Sequence, residues 1–221
     1  MSSFFAIARD RAIVWPLCGV GSVTRVGEKS NAEGNKPMSA TQDTGHLSDV
    51  KTLRENARQH IEQGPLTADY GADAQRVCDV LNEALATELV CVLRYKRHYF
   101  MAEGINSASV AAEFLQHATE EQSHADQIAA RIVQLQGEPD FNPATLVERS
   151  HAEYVPGTDL VDMIKEDLVA ERVAIASYSE IARWLGDRDI TSRRLIESIL
   201  AVEEEHADDL LTFLKQFGVD L

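Results

Sequence analysis

The sequence predicts an all-α protein, an antiparallel four-helix bundle with one long crossover and a short N-terminal helix. Four stretches repeat apolar residues at the spacing of an amphipathic helix, and each runs for about 27–31 residues, against a mean of about 11–12 in globular proteins. No stretch alternates polar and apolar residues as a strand would. Short links within each pair of helices, and a long link between the pairs, indicate two hairpins that dock on one another.

The N-terminal residues 1–46 differ from the rest and are expected to be a flexible extension. Residues 1–37 carry five basic and three acidic side chains, whereas the whole chain has a net charge of −15. Met38, followed by Ser and Ala, resembles an ordinary protein start, so translation from Met38 and a genuine tail both stay open. Residues 47–66 contain the short helix, predicted over 48–63 between Ser48-Asp49 and Gly64-Pro65.

Residues 67–221 form the predicted bundle. Its helices are expected over about 72–102, 107–137, 158–186 and 189–218. The third is capped by Thr158 or Asp159 and the fourth starts after Asp189 or Thr191, while glycines follow the helix ends at Gly104, Gly137, Gly186 and Gly218. The long crossover between the second and third helices contains Pro139, Pro143, Pro156 and Gly157.

Composition excludes several classes of function. The net charge of −15 argues against a surface for nucleic acids, which need clustered Lys and Arg, and favours a soluble protein that attracts cations. The three cysteines form no Cys-x-x-Cys motif, which excludes a thiolate zinc or iron site and suits a reducing cytoplasm. No apolar run reaches the roughly 18–20 residues of a membrane span. The basic cluster at 94–98 is expected to be a solvated or subunit-facing edge.

Ionisable side chains lie in the middle of every apolar stripe. They are Glu88 on the first helix, Glu121 and His124 on the second, Glu171 on the third, and Glu203 and His206 on the fourth. A buried carboxylate without a partner costs several kcal/mol, so such groups need positive charge between them. Two divalent ions would balance four carboxylates, and neutral imidazoles would complete the ligand set, which suits iron, manganese or zinc.

The two hairpins also repeat one motif. Glu88 and Tyr95 are seven residues apart, as are Glu171 and Tyr178, and both hairpins continue with Glu-x-x-His-Ala-Asp, at Glu121 and at Glu203. A pseudo-two-fold axis would therefore place two equivalent ions between the hairpins. The alternative is a bundle with a charged surface in which these Glu side chains point to water, and the Glu-rich runs beside Glu121 and Glu203 must be partly solvated in either case.

These motifs resemble the ferritin-like di-iron superfamily and, within it, the bacterioferritins, over about residues 75–217. The resemblance is carried by residues 82–90 with Tyr95, by 121–126, by Glu171 and by 203–206. It implies a ferroxidase that oxidises Fe(II) with O2 or hydrogen peroxide for iron storage or detoxification. It also implies that Glu88 and His124 hold one iron, that Glu171 and His206 hold the other, and that Glu121 and Glu203 bridge them. For Tyr95 and Tyr178 two interpretations stay open: they donate an electron or a hydrogen bond near the ions, or they are aromatic core residues without such a role.

Two departures from the bacterioferritin pattern change what is expected. Gln122 stands where the methionine that binds haem would follow Glu121, so no haem is expected. Only 15 residues follow His206, too few for a fifth helix, so a 12-subunit Dps-like shell competes with the 24-subunit cage. His117, on the same stripe, is either an iron relay or, as we favour, a core histidine bonded to a carbonyl group.

Two other classes of function stay open. One is a Dps-like shell that protects DNA or acts under stress, although the charge opposes DNA as a partner. The other is a different di-metal (Mn/Fe) oxidase or catalase, because the ligand set does not choose the metal. The partners expected are Fe(II), O2 or hydrogen peroxide and further copies of the chain, in the cytoplasm and without a membrane.

Overall fold

Four long helices, arranged as two hairpins, make up most of the structure, a computed structural model that describes residues 48–105 and 107–219. The helices are α1 (Val50–Asn56), α2 (Ala74–Met101), α3 (Ser107–Gln134), α4 (Leu146–Arg149), α5 (Leu160–Leu185) and α6 (Ile190–Gln216). Because these residues contain no strand, the predicted all-α class is confirmed. The expectations for residues 1–46, including a start at Met38, fall outside the described residues.

The ends of the long helices follow from local sequence. Asp73, Asp159 and Asp189 cap α2, α5 and α6, each accepting a hydrogen bond from a backbone N–H of the first turn. Helix α3 ends at Gln134, three residues before the predicted Gly137, because Gln136 adopts a left-handed conformation with φ of 63°. None of the helices in the described part of the chain has the length and hydropathy that a membrane span requires.

The predicted N-terminal helix over 48–63 is wrong in its length. Asp49 caps α1 as expected, but α1 ends at Asn56, and only a 3-10 turn at Ile61–Gln63 follows. His60 interrupts the helix with φ of 51°, and neither segment buries a residue. A short amphipathic helix is stable mainly through the packing of its apolar face, and no packed partner for that face exists within the described residues.

Two apolar clusters fill the bundle and leave a polar layer between them. One cluster contains Leu81, Leu85, Ile128, Tyr178, Ile196 and Ile199. The other contains Tyr95, Phe114, Ile164, Leu210 and Leu214. On each long helix the residues of one cluster precede, and those of the other follow, a mid-helix stretch that holds Glu88, Glu121, Glu171 or Glu203. The ionisable layer is therefore surrounded by apolar packing above and below.

A buried ion network attaches the crossover to the bundle. The Nε of Arg94 donates to Asp167 Oδ1 at 2.7 Å and its Nη1 donates to the carbonyl of Glu153 at 2.9 Å. His98 lies 2.8 Å from Asp167 Oδ2 through Nδ1 and 3.1 Å from the Pro156 carbonyl through Nε2. Arg94 and His98 are 1% and 0% exposed, so the expectation of a solvated or subunit-facing edge is wrong for both of them. The short helix α4 in the crossover was also not predicted.

Candidate metal centre

The six side chains expected to bind metal all lie in the polar layer. Each is between 0% and 5% exposed: Glu88, Glu121, His124, Glu171, Glu203 and His206. They come from α2, α3, α5 and α6, one carboxylate from each helix and one imidazole each from α3 and α6. The helical period places them on the core face, and the docking of the two hairpins brings the four helices to one place.

Their ligand atoms form two overlapping groups. Within each group one oxygen or nitrogen from every residue lies within 4.8 Å of the others. The first group is Glu88, Glu121, His124 and Glu203, and the second is Glu121, Glu171, Glu203 and His206. Glu121 and Glu203 belong to both of these groups, whereas each of the other four residues belongs to one of the two. We call these six residues the metal pocket.

The two histidines turn the same nitrogen toward the carboxylates. Nδ1 of His124 lies 3.1 Å from Glu203 Oε1, 3.3 Å from Glu88 Oε2 and 3.5 Å from Glu121 Oε2. Nδ1 of His206 lies 3.3 Å from Glu203 Oε2 and 3.5 Å from Glu121 Oε1. A single N–H on His124 cannot be shared well among three carboxylates, so these contacts leave the carboxylates without full compensation.

Several buried polar atoms in the metal pocket have no hydrogen bond. They are Glu121 Oε1, Glu171 Oε2, both carboxylate oxygens of Glu203, and His206 Nδ1. Each such atom costs about 1–3 kcal/mol, and more when it is charged. A cation between them would accept electron pairs from all of them at once, and a mixed set of carboxylates and imidazoles suits iron, manganese or zinc. The residues present therefore fit a pair of divalent ions.

Without an ion, the pocket favours bound protons. Burial, and then the charge of Glu121, raises the pKa of both Glu88 and Glu171 well above the usual value. Burial lowers the pKa of the two histidines, but close contacts with Glu121 and Glu203 outweigh it, raising the pKa to about 12 for His124 and about 11 for His206. Four carboxylates buried together are thus partly neutralised by protons.

Two tyrosines cross the pocket to the opposite hairpin. Tyr95 of α2 donates its hydroxyl hydrogen to Glu171 Oε1 of α5, and Tyr178 of α5 donates to Glu88 Oε1 of α2. Both tyrosines are fully buried, and burial followed by the nearby carboxylate charge raises the pKa of each well above the usual value. Both tyrosines remain hydrogen-bond donors and fix the orientation of Glu88 in the first ligand group and of Glu171 in the second.

Two further residues, Glu120 and His117, lie against His206. Glu120 Oε2 lies 2.8 Å from His206 Nε2, so this half-buried carboxylate can hold the ring with Nδ1 toward the pocket. In the sequence, only the position of Glu120 next to Glu121 pointed to a role for this carboxylate. His117 is fully buried and stacks on His206 with ring centroids 3.9 Å apart. Burial, and then the charge of His206, lowers the pKa of His117 to about 3.

The family model described as a ferritin-like domain matches residues 78–218. A bacterioferritin of Rhodobacter capsulatus is 30% identical over 141 residues, 62% of this chain and 81% of that protein. A nutrient stress-induced DNA-binding protein of a Nostoc species is 31% identical over 182 residues, 79% of this chain and 96% of that protein. Among solved structures, the dodecameric thioferritin from Bacteroides fragilis, a bacterioferritin-related protein, is 35% identical with a TM-score of 0.65, covering 67% of this chain and 89% of that one.

The family model covers more than half of the chain, and the matched segment contains all four long helices apart from the first turn of α2. The relatives agree with the resemblance that the Glu-x-x-His repeats had indicated, and the four-helix architecture is shared with the solved structures. The chain therefore belongs to the ferritin-like superfamily, among the relatives of the bacterioferritins and the Dps proteins.

Proposed function

We propose that this protein is a ferroxidase, which binds two iron ions in the metal pocket and oxidises Fe(II) for storage or detoxification. The observation that carries the proposal is the pair of overlapping ligand groups that share Glu121 and Glu203. Its second support is the similarity to bacterioferritins across most of the bundle. Fe(II) is the substrate, and O2 or hydrogen peroxide is the electron acceptor.

Each side chain of the pocket has a separate part in this proposal. Glu88 and His124 would hold one ion, Glu171 and His206 the other, and Glu121 and Glu203 would lie between the two, as the membership of the two groups supports. When bound, the ions supply the one-electron chemistry of the Fe(II)/Fe(III) couple, which no side chain here provides.

The surrounding residues position these ligands. Tyr95 and Tyr178 donate hydrogen bonds to Glu171 and Glu88, so each of these carboxylates presents its other oxygen to the pocket. Glu120 accepts from Nε2 of His206 and thereby leaves the Nδ1 lone pair free for a metal. The apolar clusters on both sides exclude water from the layer.

We also propose that the protein assembles into a homo-oligomeric shell in the cytoplasm. The long helices leave large apolar side chains exposed, among them Leu93 at 52%, Val133 at 58% and Val169 at 54%, and a shell would cover such surface. The related thioferritin of Bacteroides fragilis is dodecameric. Cys78 and Cys91 are free, buried thiols, as suits a reducing compartment.

The test compares Fe(II) oxidation under air by the wild type and by a Glu121→Gln/Glu203→Gln variant. Because both residues belong to both ligand groups, the variant is expected to lose at least about 100-fold in rate, since the loss of an outer partner of a metal ligand alone costs up to about 100-fold in affinity or activity. An Asp126→Asn/Glu204→Gln variant is the matched control, since it removes two exposed carboxylates from the same helices. Wild-type oxidation by the pocket variant would refute the site.

The name of the Nostoc relative favours a second candidate function, a shell that binds DNA. The net charge of −15 opposes it, because binding to the phosphate backbone releases counterions only where Lys and Arg are clustered. A mobility shift of duplex DNA at low salt separates the two candidates, and the ferroxidase proposal is independent of its result.

A further inference from the structure

A second cluster of ligand atoms lies beside the metal pocket, toward the surface. One ligand atom each from Glu113, His117 and Asp209 lies within 4.8 Å of the others. Glu113 and His117 are one turn apart on α3, and Asp209 is one turn beyond His206 on α6. None of the three belongs to the six residues of the pocket. We call this cluster the outer group.

The buried histidine gives the outer group a reason to bind an ion. His117 is 0% exposed, and neither of its ring nitrogens makes a hydrogen bond. Its Nε2 lies 3.2 Å from Glu113 Oε1, but the two atoms do not have the alignment of a hydrogen bond. The large majority of buried polar side-chain atoms in proteins have a partner, so two orphaned ring nitrogens require an explanation. A metal bound through one ring nitrogen would give that nitrogen a partner.

The other two members are accessible to ions from solution. The side chain of Glu113 is 23% exposed, and Asp209 is exposed. Two carboxylates held beside a neutral imidazole repel one another and attract a divalent cation. The outer group therefore combines a buried nitrogen ligand with oxygen ligands that solvent can reach, unlike the closed metal pocket.

His117 connects the outer group to the metal pocket. Its ring stacks on that of His206, and ligand atoms of His117, Glu171 and His206 also lie within 4.8 Å of one another. Ligand atoms thus follow one another at metal-binding distances from exposed Asp209 to buried Glu171.

We propose that Glu113, His117 and Asp209 form a third divalent-cation site, through which ions pass between the surface and the metal pocket. Binding at this site is independent of the proposed ferroxidase activity, whereas the passage of ions rests on it.

The test measures Zn2+ bound per subunit to the metal-free, fully assembled protein by equilibrium dialysis. A Glu113→Gln/Asp209→Asn variant and a His117→Gln variant are each expected to bind one ion per subunit fewer than the wild type. An Asp126→Asn/Asp208→Asn variant removes two exposed carboxylates from the same helices and is expected to bind as many ions as the wild type. Wild-type binding by either of the first two variants overturns the site.

A second arm separates this site from the pocket. A Glu121→Gln/Glu203→Gln variant is expected to lose the two ions of the pocket and to keep the outer one. If it loses none while the outer variants lose one, the pocket assignment fails and the third site stands. Uptake of Co2+ into the pocket, followed by absorption, is expected to be slower without the outer carboxylates, and an unchanged rate overturns the passage of ions through this site.

Discussion

Loading the metal-free pocket with two divalent ions is expected to release about four protons per subunit, because ligands must be deprotonated to bind a metal. The four groups concerned are Glu88 and Glu171, whose pKa is raised by burial, and His124 and His206, whose pKa is about 12 and about 11. In all four groups the shift of the pKa favours the protonated form. The exchange of about four protons for two ions leaves the charge of the buried layer unchanged.

The exchange of protons for ions predicts how the affinity of the pocket for metal ions depends on pH. If each ion displaces about two protons, its apparent affinity rises about 100-fold per pH unit near neutrality, or about 2.7 kcal/mol. The metal-free fold has the opposite dependence. Each raised pKa gives stability that is complete below the unfolded value, 4.5 for Glu and 6.5 for His, and is lost as the pH rises toward the folded value. The free energy of unfolding of the metal-free protein should therefore fall as the pH rises above about 5, by about 1.4 kcal/mol per pH unit for each proton that only the folded state holds, and the melting temperature should fall with it.

Calorimetric titration with Zn2+ in two buffers of different ionisation enthalpy counts the protons released. The Glu113→Gln/Asp209→Asn variant is used, so that only pocket ions are counted. Adding Glu88→Gln should remove about one proton from the total, whereas adding Glu204→Gln, an exposed neighbour of Glu203, should remove none. A release near zero would mean that the metal-free pocket holds ionised carboxylates and neutral imidazoles, and the electrostatic reasoning would be refuted.

Two further predictions concern the crossover and haem. Asp167→Ala removes the carboxylate that contacts both the buried charge of Arg94 and the ring of His98, and it should lower the free energy of unfolding in urea by about 3–5 kcal/mol. Asp126→Ala, at an exposed site, should change it by less than about 0.5 kcal/mol, and equal effects would contradict a structural role for the network. Protein produced with added haem should show no stoichiometric Soret absorption, because Gln122 occupies the position of the expected ligand, and a Soret band would mean that another residue binds haem.

The helical period made the long helices and the six pocket residues predictable. Residues three and four apart share a face of a helix, so Glu121 with His124, and Glu203 with His206, could be assigned to one face from sequence alone. The energetic cost of carboxylates on an apolar stripe then indicated a common partner for them. The N-terminal helix was predicted too long because its apolar face has no packed partner in the described chain, which periodicity cannot reveal.

Only the tertiary structure decided which side chains meet across helices. The hydrogen bonds of Tyr95 with Glu171 and of Tyr178 with Glu88 join opposite hairpins, and the sequence spacing related each tyrosine only to the glutamate on its own helix. The burial of Arg94 depends on Asp167 and on Glu153 in the crossover, which lie 73 and 59 residues away along the chain, respectively. The sequence thus determined what each helix face carries, because that depends on local geometry, whereas the docking of the hairpins determined the contacts between faces, because those depend on packing between distant segments.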